Sequence, residues 1–198
     1  MENIIANAII LKNQHTSLRE FLNYRLPFYL IITLLCTSAC KHDKPAEPAC
    51  RKVSSLASDT IDSTTMIPLS KHSACLIRLN NQVLSIQYQR SDKLDVPGGT
   101  VNQNENAQCA AHRHTWKTTG FNVEVGRYLG SDEMDTQYFQ CRLAGNFIGE
   151  IQEFPVPQWS QSKVSSIQLI DPFSLQNKDW QGENRLILVR DMFNSIED

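Results

Sequence analysis

Pro97-Gly98-Gly99 reads as a break between regular elements, and the next element the sequence announces is a helix with both ends written in it. Asn106 can accept a hydrogen bond from the first free backbone N–H groups of a helix running from Ala107 to Thr119. Gly120 stands just past the last turn, where a left-handed residue closes a helix without steric penalty. A hard break, a short loop and a capped helix must all fit one fold.

On both sides of this unit the apolar period is two. Cys75-Leu76-Ile77-Arg78-Leu79, a polar Asn80-Asn81-Gln82 turn and Val83 to Tyr88 read as a hairpin, with Leu84, Ile86 and Tyr88 on one face. After the helix, Phe121, Val123 and Val125 alternate with polar residues, as do Phe139, Cys141 and Leu143, and Val164 to Ile170 makes a further strand. Leu186, Val189, Phe193 and Ile196 then recur at spacings of three, four and three, the stripe of a terminal helix. Strands and helices interleave, so the expectation is one compact α/β unit over residues 73–198. Residues 40–72 are polar and lack either period, which reads as a flexible tether.

The break and the helix also carry a resemblance. Gly99, Glu105, Arg113 and Gly120-Phe121 stand at the spacing of the Nudix box, G-x5-E-x7-R-E-U-x-E-E-x-G-U, in which U is a bulky aliphatic residue. The preceding Pro-Gly-Gly, the hairpin, the later strands and the terminal helix extend the likeness from about Ala74 to Ile196. The resemblance implies a Nudix fold, a mixed β-sheet core between helices in an α/β/α sandwich. It implies a small-molecule ligand of the nucleoside diphosphate-X type and Mg2+ as cofactor. Glu105 and Arg113 are its retained candidate catalytic positions.

The box holds divalent cations against a diphosphate, and its glutamates converge because positions i, i+3 and i+4 share one helix face. Here those metal positions are His114, Lys117 and Thr118, and Thr115 takes the aliphatic place, so Glu105 is the one box acid left as a metal ligand. Exchanging three carboxylates for a neutral His, a Lys and a Thr shifts the local charge by about four units. An ammonium about 4 Å from a unit positive charge costs roughly 4 kcal/mol at an effective dielectric near 20, and a dication doubles this. Lys117 therefore opposes a metal and suits phosphate oxygens instead, with Gly98 and Gly99 as further candidate ligand-binding residues through their exposed backbone. A solvated Lys117, a surface His114 and a loop-stabilising Arg113–Glu105 pair are the plain alternatives. His112 and His114 fall on different helix faces, Trp116 reads as a packing residue, and Asp132, Glu133 and Asp135 read as a solvated loop.

The N-terminus speaks to location. Leu26 to Cys36 is an apolar run following Arg19 and Arg25, too short to span a bilayer and suited to a signal peptide covering residues 1–39. Thr37-Ser38-Ala39-Cys40 resembles a bacterial lipobox with Cys40 as the lipidation site, although an ordinary signal peptidase would also accept Thr37-Ser38-Ala39. A lipid-anchored envelope protein on the periplasmic side is the expectation. Cys50, Cys75, Cys109 and Cys141 then remain, and four thiols allow three pairings or buried free thiols. The formal net charge of -2 supplies no basic surface for a nucleic acid polymer.

Three functions fit these residues. The first is a diphosphate-binding protein with impaired or lost hydrolysis. The second is a working Mg2+-dependent pyrophosphohydrolase with acids from outside the box, such as Asp95, Glu124 or the 132–135 loop. The third is a structural envelope lipoprotein. The oligomeric state is not legible.

Overall fold

The computed structural model describes residues 44–53, 70–143, 151–182 and 184–196. The leader, Cys40 and much of the expected tether lie outside the described residues. Among those described, no helix is long and apolar enough to cross a membrane.

Among the described residues, nine strands form two sheets. The first has the order β5 (Gly98–Thr100), β1 (His72–Leu76), β7 (Thr136–Leu143), β6 (Val123–Ser131). Its β1 and β7 run parallel and its other pairs antiparallel, so it is mixed. The second is antiparallel, with the order β2 (Arg78–Leu79), β3 (Gln82–Tyr88), β9 (Val164–Ile170), β8 (Glu153–Phe154), and β4 (Leu94–Asp95) also pairs with β3. Helices α1 (Ala107–Thr119) and α2 (Arg185–Ser195) complete it.

Alternation along β1 decides the layering. Ala74 and Leu76 join a buried cluster with Leu186, Val189 and Phe193 of α2, whereas Cys75 and Ile77 join another with Ala111 of α1. Successive side chains of a strand point to opposite faces, so the sheet core lies between the two helices as expected. The hairpin differs from its reading. Cys75 to Leu79 is not one strand: β1 belongs to the first sheet and β2 to the second, with the chain crossing over at Ile77. One continuous strand-like run serves two sheets, which periodicity alone does not reveal. Strands β4, β5 and β8, two or three residues each, were too short for a period to register.

Helix α1 has the limits read from its caps. Asn106 accepts from Gln108 N at 2.8 Å, and Gly120 closes it at φ 75°. Its buried face is small and polar. Thr115, Thr118 and Thr119 each donate a hydroxyl proton to the carbonyl four residues back, so these hydroxyls are satisfied within the helix.

The four thiols form two disulfides, Cys50–Cys109 and Cys75–Cys141. The first attaches residues 46–53 to α1, and the bonds Val53 N to Val125 O and Val125 N to Arg51 O add this segment to the outer edge of β6. That part of the expected tether is fastened to the domain. Its polar composition hid this, because the bonds are backbone pairings and a covalent link to residues far along the chain.

Candidate functional site

The loop from β5 to α1 is organised by one arginine. Arg113 Nε donates to Glu105 Oε1 at 2.7 Å and its Nη2 to Oε2 at 2.6 Å, a two-pronged pair, and Nη2 also reaches Thr100 O at 2.9 Å. Asn102 N supplies Glu105 with a third donor at 2.9 Å. The Arg113 bonds, opposed by partial burial and joined by the Asn102 N–H, hold the Glu105 carboxyl below its ordinary pKa. Glu105 is thus a loop clamp with both oxygens in use.

His114 lies across Gly99. A Cβ placed on Gly99 would come within 2.3 Å of the imidazole, so the ring keeps this position only while residue 99 has no side chain. His114 Nε2 donates to Thr100 O at 2.9 Å, which requires the proton on Nε2. Burial is the main cause lowering its pKa, and Arg113 and Lys117 lower it further, so the ring is neutral near pH 7. Gly98 is the more constrained, because an added Cβ would meet Ala74 Cβ at 2.7 Å and the Ser73 backbone carbonyl at 2.9 Å. Thr118 spends its hydroxyl on His114 O at 2.8 Å. Lys117 Nζ stands 3.7 Å from Glu47 of the attached N-terminal segment, with both side chains about one-third exposed. The structure therefore gathers Thr100, Glu105, Arg113 and His114 into one hydrogen-bonded unit, with Gly99 packed against the His114 ring. Lys117 stands outside it.

Mg2+, implied by the resemblance, takes hard oxygen ligands in near-octahedral array. At the box, Glu105 is engaged by Arg113, Thr118 by its own helix, and Lys117 brings a positive charge. Among the described residues no three His, Cys, Asp or Glu side chains converge to hold a metal. This donor set does not fit the ion.

A recess of about 160 Å³ opens on the other flank of Gly98 and Gly99, walled also by His72, Tyr88, Asp95 and Arg185. Arg185 and Met134 divide it from a larger hollow of about 450 Å³ beside Asp132, Asn184 and Leu188. Between the two lies a half-buried polar cluster. Arg185, the first residue of α2, donates Nη2 to Tyr138 Oη at 2.5 Å, stands with Nε 3.1 Å from Asp132 Oδ2, and reaches Asp95 Oδ2 through Nη1 at 3.5 Å. Burial raises the Asp95 carboxyl to about 6, which Arg185 offsets only in part. At Asp132 burial acts in the same sense but is outweighed by the Thr136 N–H, the Tyr138 hydroxyl and Arg185, and its pKa is lowered. Burial and the nearby Asp95 push the Tyr88 phenol up to about 12.

Asp132 is therefore no solvated loop acid, while Glu133 and Asp135 are exposed. Glu124 pairs with Arg51 at 2.5 Å. Arg185 and Tyr138 carry no signal in the sequence, because their partners lie far along the chain and only the docking of α2 brings them together. Trp116 packs against Trp159 with ring centroids 5.7 Å apart, as its packing role required. His112 is buried and meets Asn122 Oδ1 at 3.0 Å, away from His114.

Set beside solved structures, this architecture has parallels in shape. It matches an ADP-ribose pyrophosphatase from Streptococcus suis 89-1591 with TM-score 0.50 and 16% identity, over 63% of this chain and 89% of that one. A NUDIX hydrolase from Nitrosomonas europaea matches with TM-score 0.50 and 12% identity, over 63% of this chain and 87% of that one. The chain has the Nudix fold. A UDP-X diphosphatase is also similar, at TM-score 0.47 and 15% identity over 63% of this chain, which spans only 62% of that protein's length. By sequence, the chain matches no protein-family model and no curated protein. The fold sets Gly98 and Gly99 of β5 beside the His114 face of α1, and the chemistry there depends on this chain's own residues.

Proposed function

We propose that this Nudix-fold chain is an exported protein that binds a diphosphate compound of the nucleoside diphosphate-X type, with hydrolysis impaired or lost. The observation that carries the reading is the state of the three metal positions: His114 is bonded to Thr100, Thr118 to its own helix, and Lys117 is cationic. The same replacements favour an anion without a bridging metal. Lys117 is about 38% exposed and its contact with Glu47 is long, so an entering phosphate competes only with a weak surface pair. The ligand class is supported by the ADP-ribose pyrophosphatase that shares this fold. Acids outside the box support hydrolysis less well, since Asp95 and Asp132 share Arg185 and Glu124 is held by Arg51.

Calorimetric titration of the full-length chain with inorganic pyrophosphate and with ADP-ribose tests this directly. Binding is expected without Mg2+, and Lys117→Ala is expected to weaken it about 3- to 10-fold, the order of one exposed charge-assisted contact. Binding that appears only with Mg2+, or is indifferent to Lys117→Ala, would overturn the proposal.

Export is proposed on separate grounds. Two disulfides are consistent with an oxidising compartment, and Cys40 behind its apolar leader is the proposed lipid site. Cys40→Ser should release the protein from bacterial membranes, and intact mass should show acyl chains on the unaltered protein. Unchanged membrane fractionation of Cys40→Ser, with no acyl mass on the parent, would sink the lipid anchor.

A further inference from the structure

The N-terminal segment crosses the helix face that carries the candidate anion-binding lysine. Cys109, Arg113 and Lys117 follow one another at intervals of four along α1, so their side chains share one side of the helix. The Cys50–Cys109 bond fixes the segment at one end of this row, with Cα atoms 5.3 Å apart, and Glu47 meets Lys117 at the other. From Cys109 to Lys117 is eight residues, about 12 Å of helix. Three residues of chain span at most about 10 Å, so Glu47 arrives there only with residues 47–50 drawn out along α1. Pro48, with its fixed φ, favours this form and restricts Glu47 to it.

Charge follows the same row. Arg113 is matched by Glu105, whose hydrogen bonds are the main cause raising the pKa of the guanidinium; burial opposes this, and Glu47 adds to the rise from outside the loop. Lys117, among the described residues, pairs with Glu47 alone. A phosphate oxygen arriving at Lys117 therefore meets a carboxylate already in place. The bridge that keeps it there is also the reachable one. Cys50 and Cys109 are half-buried, whereas Cys75 and Cys141 are 0% and 2% exposed. Thiol–disulfide exchange needs a thiolate to reach a sulfur atom, so access selects the surface bridge.

We propose that residues 46–50 are a redox-latched cover on the anion site: Glu47 sits at Lys117 as an internal anion, and reduction of Cys50–Cys109 frees it to leave. The inference rests on the diphosphate reading above and concerns the regulation of that site. The reductant is a dithiol, small or protein-borne. Its two thiols pass two electrons and two protons to the S–S bond, leaving thiols on Cys50 and Cys109 and a disulfide in the reductant. With the bond open, residues 46–49 keep, among the described residues, only the exposed Glu47–Lys117 pair. One such pair is too weak to hold the segment against the entropy of a free chain.

The full-length chain is titrated calorimetrically with inorganic pyrophosphate, without Mg2+, before and after mild treatment with a dithiol. Alkylation keeps the opened bridge open, and mass mapping is expected to place it on Cys50 and Cys109 but not on Cys75 and Cys141. Pyrophosphate affinity is expected to rise about 2- to 5-fold on opening, the order set by one exposed ion pair. Glu47→Gln, with the bridge intact, should give the same rise, and reduction should then add nothing. This variant changes an exposed side chain, so it separates the lost anion from a loosened segment. An affinity unchanged or lowered by reduction, a Glu47→Gln chain that binds as the parent does, or a core bridge that opens first would overturn the latch while leaving diphosphate binding intact. Absence of pyrophosphate binding in every form would remove both proposals.

Discussion

Replacing His114, Lys117 and Thr118 together by glutamate is expected to create Mg2+-dependent release of monophosphate from ADP-ribose, at least about 100-fold above the parent chain, the order lost when one electrostatic element of an active site is removed. The three positions stand at i, i+3 and i+4 on α1, so their carboxylates share one helix face. His114→Glu also lifts the imidazole from Gly99, and Lys117→Glu removes the ammonium that opposes a metal. Single replacements should do little, because one carboxylate beside a retained Lys117 supplies too few oxygens. Activity should therefore emerge non-additively, as for groups that act as a unit. Thr118 is only 8% exposed, so thermal unfolding of the triple variant must be measured alongside, to separate a dead site from a lost fold. Should the parent already turn over at roughly 1–1000 per second, impaired hydrolysis is the wrong reading and acids outside the box carry the metal.

Removing the core disulfide is expected to lower stability by about 2–4 kcal/mol, because it closes a long loop in the unfolded chain. Cys75 and Cys141 are 66 residues apart in sequence and are 0% and 2% exposed. For a domain of this size each kcal/mol moves the midpoint by about 2–4 °C, so Cys75→Ala with Cys141→Ala should melt roughly 4–16 °C lower. Losing Cys50–Cys109 should act more locally. It joins residues 46–53 to α1, and among the described residues their other polar contacts are a pair of backbone bonds on β6 and the exposed pairs Arg51–Glu124 and Glu47–Lys117. Thermal unfolding with and without reductant checks both. A midpoint unchanged both in reductant and in the Cys75→Ala, Cys141→Ala variant would show that the core bridge does not stabilise the fold.

Much of this architecture was decided by the sequence alone, wherever the governing interactions are short in range. The limits of α1 come from Asn106 and Gly120, whose partners are two to four residues away. The replaced metal positions could be named for the same reason, since helix geometry places 114, 117 and 118 together regardless of context. The strands with a clear period, β3, β6, β7 and β9, were legible too. Tertiary structure alone decided the rest. It split Cys75 to Leu79 between two sheets, chose one pairing of four thiols among three, and fastened Cys50 to a helix that begins more than fifty residues later. It also built the Asp95–Arg185–Asp132 cluster from β4, α2 and the β6–β7 turn, with contacts spanning up to 90 residues. An arginine at the head of an apolar helix looks the same in sequence whether it faces water or two carboxylates. Which it faces is fixed by where the helix docks, and that is set by the whole core packing at once.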